Sequence, residues 1–256
     1  MKILCLIVLF TSSPCFAQTL SNFMMPDGSR DTYVGLVLIS KPVAEGNTAS
    51  RETVLFPQLQ VQWSNGVFVS GLNTLGMHLS DTPGVEYGPV LHWQQGRGVE
   101  NRQSLAGTDA IKSSPNVGGF FNYYLGQSLR LTSELVATTD APGTLLAIGI
   151  QKRLPTLAPH HTVSLSAGAT FADAAYARHY YGVTGDTANG SAMQSYVPAG
   201  GLLNLHAGFN WNWTLSASWL LSTSMEATYY AATAADSPVN NSRSAVVIGS
   251  GLGYRF

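Results

Sequence analysis

Six histidines, several inward-phased charges and one Gly-flanked polar loop are the residues in this chain that could do chemistry. A hydrolase of the serine–histidine–acid kind needs a base within hydrogen-bond reach of a hydroxyl, oriented by a third group. His78, His92, His160, His161, His179 and His206 are the available bases. His206 lies in phase with Asn204 and Asn210 and can point away from its apolar neighbours. With Ser and Thr so abundant, a hydroxyl beside it is expected by chance, and hydrogen bonding is its ordinary task. His160 and His161 are adjacent, and neighbouring strand residues face opposite sides, so they do not share a metal easily. They read as a turn or strand start. Asp186, Asn189 and Ser191 lie between Gly185 and Gly190, but calcium requires about 6–8 oxygen ligands, and the stretch reads as a solvated loop. No Gly-x-Ser-x-Gly elbow, His-Glu-x-x-His helix or phosphate-binding Gly-Lys loop is present. The sequence therefore assigns no catalytic, cofactor-binding or metal-binding residue. Arg130 and Glu134 share one polar face four residues apart, and Arg255 sits on the polar face of the last strand. Inside a narrow barrel such charges pair across the lumen, because an unpaired buried charge is costly. In a wider one they set ion selectivity.

The elements that carry these residues alternate with period two. Reading back from the terminal residue, Phe256, Tyr254, Leu252, Ser250, Ile248 and Val246 form one face, and Arg255, Gly253, Gly251 and Gly249 the other. A terminal Phe on such a strand resembles the assembly signal of bacterial outer-membrane proteins. The same rhythm sets Leu129, Leu131, Leu135 and Ala137 against Ser128, Arg130, Thr132 and Glu134. It sets Val163, Leu165, Ala167, Ala169 and Phe171 against Ser, Thr and Gly. It sets Leu203, Leu205, Ala207, Phe209 and Trp211 against Asn, His and Gly, and Trp213, Leu215, Ala217, Trp219 and Leu221 against Thr214, Ser216 and Ser218. An apolar outer face with a Ser/Thr/Asn/Gly inner face is the pattern of a barrel wall in lipid. Trp93, Trp211, Trp213, Tyr229 and Tyr230 fall near strand ends, where an interfacial girdle belongs.

Composition agrees. Charged residues are 11% of the chain, against an ordinary ~25%. Mean hydropathy is slightly positive, yet no stretch beyond the first ten residues has the ~20 apolar residues of a spanning helix. A net charge of −1 gives no reason to expect nucleic acid as a partner. Met1-Lys2, the apolar run Ile3–Phe10 and the small residues before Ala17 read as a secretory signal peptide over 1–17. Both cysteines, Cys5 and Cys15, lie within it, so the exported chain has neither disulfides nor thiol chemistry. Residues 18–31 read as a polar periplasmic lead-in, and 32–256 as one outer-membrane barrel whose partner is outer-membrane lipid.

Turn chemistry at Ser64-Asn65-Gly66, Asp81-Thr82-Pro83-Gly84, Asp140-Ala141-Pro142-Gly143 and Asn240-Asn241-Ser242 punctuates the strands. Strands are expected near 32–41, 53–63, 66–79, 85–94, 116–126, 128–138, 144–153, 161–172, 201–210, 214–232 and 244–256. Single-chain bacterial barrels are even-numbered, so a twelfth strand is expected around Tyr176–Thr184. The fold class is all-β, a transmembrane antiparallel barrel of about 12 strands (range about 10–14). This count puts 42–52 and 233–243 outside and the long 95–115 segment in the periplasm.

Phe171-Ala172-Asp173-Ala174-Ala175-Tyr176, Tyr180-Tyr181-Gly182-Val183-Thr184, Ser195-Tyr196, Gly200-Gly201-Leu202, Asp236-Ser237-Pro238-Val239 and Gly253-Tyr254-Arg255-Phe256 follow one another in an order that resembles the MipA/OmpV family of outer-membrane proteins. Tyr33-Val34-Gly35, Phe56-Pro57, Gly96-Arg97 and Leu105-Ala106-Gly107 agree more loosely, and Lys41-Pro42-Val43-Ala44-Glu45-Gly46 departs from the family's Pro-x-Tyr-x-Gly stretch. The resemblance implies a non-enzymatic barrel without cofactors. Its named member, an MltA-interacting protein, is a scaffold joining a lytic transglycosylase to a penicillin-binding protein. Other members imply a small-solute or antibiotic-permeable pore, or an adhesin working through loops near 42–52, 185–200 and 233–243.

Overall fold

The computed structural model describes residues 32–42, 51–96, 111–155, 158–183, 194–240 and 242–256. Twelve strands follow one another around a closed antiparallel barrel, each paired with its neighbours in sequence, and β1 (Tyr33–Pro42) closes on β12 (Ser244–Arg255). Between them run β2 (Arg51–Gln62), β3 (Val67–Ser70), β4 (Thr74–Met77), β5 (Val85–Gln94), β6 (Ser114–Leu125), β7 (Leu129–Ala137), β8 (Thr144–Arg153), β9 (His161–Ala172), β10 (Gly201–Thr214) and β11 (Trp219–Tyr230). Among the described residues two short helices, α1 (Ala174–Tyr181) and α2 (Ala232–Ala235), interrupt the connections at one rim.

The alternation read from the sequence becomes the two sides of this wall. Leu36, Leu38, Leu55, Leu135, Ile148 and Leu205 all lie open on the outer surface. In water each such side chain would forgo about 1.5–3 kcal/mol of burial, so this exterior is stable only against lipid. Trp63, Trp219, Tyr254 and Phe256 cluster outward at the rim of short turns, with Trp219 edge-on to Tyr254 at 5.2 Å. His161 opens β9 on the outer face, where its ring lies beside those of Trp211 and Trp213, centroids 5.7 and 5.2 Å away, and its Nδ1 accepts from the Trp211 indole at 3.1 Å. Glycines on the inner face let strands bend closely over one another: a Cβ at Gly118 would collide with the Leu135 carbonyl, and one at Gly88 with the Met77 carbonyl. Such glycine bends are how a sheet turns its corners in a barrel.

Several expectations need correction. Residues 66–79 are not one strand but the hairpin β3–β4, turned by Gly71 at φ +63°. Tyr176–Thr184 supplies no twelfth strand; it is mostly α1, started by Asp173, whose side chain accepts from the Tyr176 N–H at 2.7 Å. The total of twelve is reached because these two differences cancel. Because of the extra strand early in the chain, β5 ends at Gln94 and β6 begins at Ser114 at the rim of long connections, the rim that also holds 138–143. The described ends of the 95–115 segment are therefore not on the side of the chain termini, where the short turns lie, and its residues 97–110 lie outside the described residues. Residues 214–232 break at a tight turn, in which the Ser216 hydroxyl accepts from the N–H groups of Ser218 and Trp219. A register shift between Leu202 and Asn204 turns Leu203 inward, off the outer face assigned to it. Tyr230 is not a girdle residue; it points inward and is fully buried.

Candidate functional site

Three features could carry function: the lumen wall, the capped rim and the short-turn rim. The lumen wall is divided. On β9, β10 and β11 it presents Ser164, Ser166, Asn204, His206, Asn210 and Ser222, the polar strip expected from the sequence. His206 lies over Gly168, where a Cβ would overlap its imidazole, so the glycine provides the space for the ring. On β1–β6 the inner side chains include Val37, Ile39, Val54, Phe56, Phe68 and Phe120. Phe68, His78 and Phe120 form an aromatic cluster with centroids 4.7–5.9 Å apart.

Arg130 and Glu134 are each hydrogen-bonded inside the wall, but not to each other. Arg130 donates to the Gln151 amide oxygen at 2.6 Å and to the Tyr124 hydroxyl at 3.3 Å, and Tyr124 in turn donates to Glu86 at 3.0 Å. Glu134 instead lies 3.0 Å from His92 Nε2, while Thr74 Oγ1 lies 3.0 Å from His92 Nδ1. With the carboxylate accepting from Nε2–H, Nδ1 is left to accept from the Thr74 hydroxyl. Hydroxyl, imidazole and carboxylate thus stand in the order of a hydrolase triad. Thr74 is buried in the wall, and the chain of bonds spans β4, β5 and β7. Its evident work is to tie the short hairpin to the long strands beside it. Nothing in the sequence marked His92, because its partners come from strands 18 and 42 residues away.

At the rim of long connections α1 and α2 fold inward. Tyr176, Tyr180, Tyr181, Leu203 and Tyr230 form a core with Leu145, Ala172, Ala234 and Ala245, capping the lumen over β8–β12. Tyr176 and Tyr180, one helical turn apart, stack at 4.2 Å. The cap is fastened by Asp140, whose buried carboxylate lies 3.2 Å from His179 Nε2 and accepts weakly from the Tyr180 hydroxyl at 3.4 Å. Ser237 donates to the Tyr181 carbonyl at 2.6 Å and joins α2 to the end of α1. The Tyr176 N–H, helped by the N–H and hydroxyl of Thr144 on β8 and by the Ala175 N–H, holds the Asp173 carboxyl below its ordinary pKa. Among the described residues no group of three or more His, Cys, Asp or Glu side chains is placed to hold a metal ion. The loop with Asp186, Asn189 and Ser191 lies outside the described residues.

These features define an outer-membrane β-barrel, and the comparisons agree. The chain is similar to an outer-membrane channel from Pseudomonas putida F1, at 11% identity over 91% of this chain and 100% of that one, with a TM-score of 0.51. It is also similar to the NanC porin (9% identity; 86% and 100% covered; TM-score 0.49) and to the translocator domain of the autotransporter NalP from Neisseria meningitidis (10%; 93% and 92%; 0.49). Likeness at such identity is one of fold. No curated protein matches the sequence. The family model of the MltA-interacting protein MipA matches residues 34–256. The chain belongs to that family.

Proposed function

We propose that this barrel is a non-enzymatic platform, held in the outer membrane by its lipid-facing wall and recruiting enzymes of murein turnover to its short-turn rim. The family match over 34–256 carries the reading, since the family is named for binding MltA. The partners it suggests are a lytic transglycosylase and a penicillin-binding protein. The short-turn rim supports the reading: the turns at 63–66, 78–84, 126–128 and 215–218 form a shallow face next to both chain ends, on the side that faces the periplasm in barrels of this type. In this proposal residues 1–17 are removed as a signal peptide and 18–31 lead into the barrel from the same side. The test is chemical crosslinking in intact cells, followed by detergent extraction and affinity capture of the barrel. Enrichment of lytic transglycosylases or penicillin-binding proteins, lost when the 78–84 and 215–218 turns are replaced by Gly-Ser, is the expected result. No enrichment with crosslinker would sink the proposal.

A second reading, a pore for small polar solutes, rests on the polar strip of β9–β11. Planar-bilayer recordings distinguish it: discrete conductance altered by Arg130→Ala favours a pore, and a silent bilayer favours the platform.

A further inference from the structure

One carboxylate inside the barrel stands without a cation. Alternation along β11 turns Ser222, Ser224, Glu226, Thr228 and Tyr230 to the lumen and leaves Met225 and Tyr229 half exposed on the lipid side. The other inward carboxylates of the described strands are answered. Glu52 pairs with Lys41 at 3.4 Å, Glu134 lies 3.0 Å from His92, and Glu86 accepts from Asn122 at 3.2 Å and from Tyr124 at 3.0 Å. Glu226 is met by the Thr228 hydroxyl of its own strand. Among the described residues, no Lys, Arg or His forms an ion pair with it.

Its surroundings offer oxygens and no charge. Across the β10–β11 ladder Glu226 faces Gly208, and across the β11–β12 ladder it faces Val247. Neither brings a polar side chain. The Ser166 hydroxyl of β9 lies over Gly208, where a Cβ would overlap it. Asn210, diagonal to Glu226 on the same inner face, is 8% exposed, and its amide oxygen accepts no hydrogen bond among the described residues. His206, diagonal on the other side, leans away from Glu226 and over Gly168. Gly208, Ser224 and Glu226 keep partial exposure on the lumen side, so a water-sized space lies in front of the carboxylate. Toward the long-connection rim, Tyr230 and the rest of the cap close over this space.

A charge held among neutral groups in a wall is costly unless something answers it. Carboxylate, hydroxyl and amide oxygens are acceptors, and they suit a cation. A divalent ion such as calcium takes about 6–8 oxygen ligands, and among the described residues no group of three or more His, Cys, Asp or Glu side chains is placed to hold a metal ion. One carboxylate balances one positive charge. We propose that Glu226 anchors a monovalent cation, a primary ammonium group or an ion of potassium's size, in the polar half of the lumen beneath the cap. The proposal does not rest on the platform reading, which concerns the short-turn rim.

The test uses full-length protein in phosphatidylcholine nanodiscs, with methylammonium as the probe and saturation-transfer NMR as the readout. The wild-type barrel should transfer saturation to the probe in a saturable way. Glu226→Gln keeps the side chain's shape and removes its charge, and should weaken binding about tenfold or more. Glu134→Gln, whose carboxylate is already answered by His92, should leave binding unchanged. Potassium chloride and choline chloride are then added at equal ionic strength. Displacement by potassium but not by choline identifies an inorganic ion as the occupant, and a probe held against both identifies a primary ammonium group. Equal displacement by both salts marks the signal as diffuse attraction and overturns the proposal. No saturable transfer to the wild type, or no loss in Glu226→Gln beyond that in Glu134→Gln, overturns it as well. Folding is scored by resistance to SDS before boiling. Glu226→Ala replaces Glu226→Gln if that variant does not fold.

Discussion

Replacing Asp140 by Ala should open the lumen cap without opening the barrel. The Asp140 side chain is almost completely buried, 3% exposed, and its nearest partner is His179 Nε2 at 3.2 Å on α1. Its bonds to the Tyr180 hydroxyl, at 3.4 and 3.5 Å, are at the limit of usefulness and share one proton. A hydrogen bond to a charged group contributes about 1.5–3 kcal/mol. His179 is partly open to solvent, so the lower half of that range applies, with a few tenths from Tyr180. The total is about 2 kcal/mol, and at ~1.36 kcal/mol per tenfold this raises the opening constant of α1 about 30-fold. The barrel ladders contain none of these bonds. Hydrogen exchange by mass spectrometry, on protein in nanodiscs, should show peptides covering 174–181 exchanging about 30-fold faster, with β8 and β9 peptides unchanged. An acceleration below about threefold would mean that the aromatic core alone holds the cap. Equal acceleration in β8 and β9 would mean that cap and wall open as one unit. Either result refutes the reasoning.

Neighbouring glycines should respond oppositely. Gly118→Val drives a side chain into the Leu135 carbonyl and should abolish the SDS-resistant folded band, whereas a Cβ at Gly119 meets only the Gly88 carbonyl at 3.4 Å and Gly119→Ala should fold. Leu135→Arg places a charge on the outer wall, where Leu135 is 54% exposed, and should destabilise the folded barrel in urea titrations by about 2–4 kcal/mol if that position sits near the bilayer midplane. An effect under about 0.5 kcal/mol would move it out of the hydrocarbon, to the interface or beyond. Asp173→Ala removes the cap of α1 and should cost about 1 kcal/mol of local stability, read by the same exchange measurement. The Asp173 carboxyl is held below its ordinary pKa, so its contribution is present above the unfolded value near ~4 and disappears as pH falls through the lowered one. Wild-type protection at 174–181 should therefore fall in acid toward that of the Ala variant, with the difference between them vanishing.

The two faces of the wall were legible because lipid outside and a polar lumen inside impose opposite chemistry on alternate residues. Residues such as Leu131 and Thr132, or Phe209 and Asn210, cannot exchange places without cost. The cap was less legible. Asp173 before Ala174, Ala175 and Ala177 is an N-cap followed by good helix formers, a signal that the Tyr residues of the same stretch outweighed. Tyr230 and Leu203 defeated the girdle and phase arguments because their orientation depends on the cap and on a bulge. The Thr74–His92–Glu134 chain could not be read at all, since it exists only once three strands are laid side by side.

The hairpin at 66–79 was hidden for a more general reason. Residues paired across an antiparallel ladder lie on the same face. Ser70 pairs with Thr74, so the turn between them holds three residues and Ser70 and Thr74 keep the same phase along the chain. Thr214 pairs with Leu220, again an even separation, and the same blindness affected the 214–232 segment. Where the separation is odd, as between Ala137 and Thr144, the phase slips and the break shows in the alternation. A period-two pattern therefore reports which way each residue faces but not where an odd-length turn reverses the chain; only Gly71 and Asn73 could have signalled this one. The cost of missing it is global, because each undetected reversal moves every later connection to the opposite rim until a second error restores the phase. Here the segment between β5 and β6 changed rim while the connections after β9 kept theirs. The weakest ladders of the wall are the product of that hidden turn, so the feature that misled the count is also the one that leaves β3 and β4 held to their neighbours by only three or four pairs each.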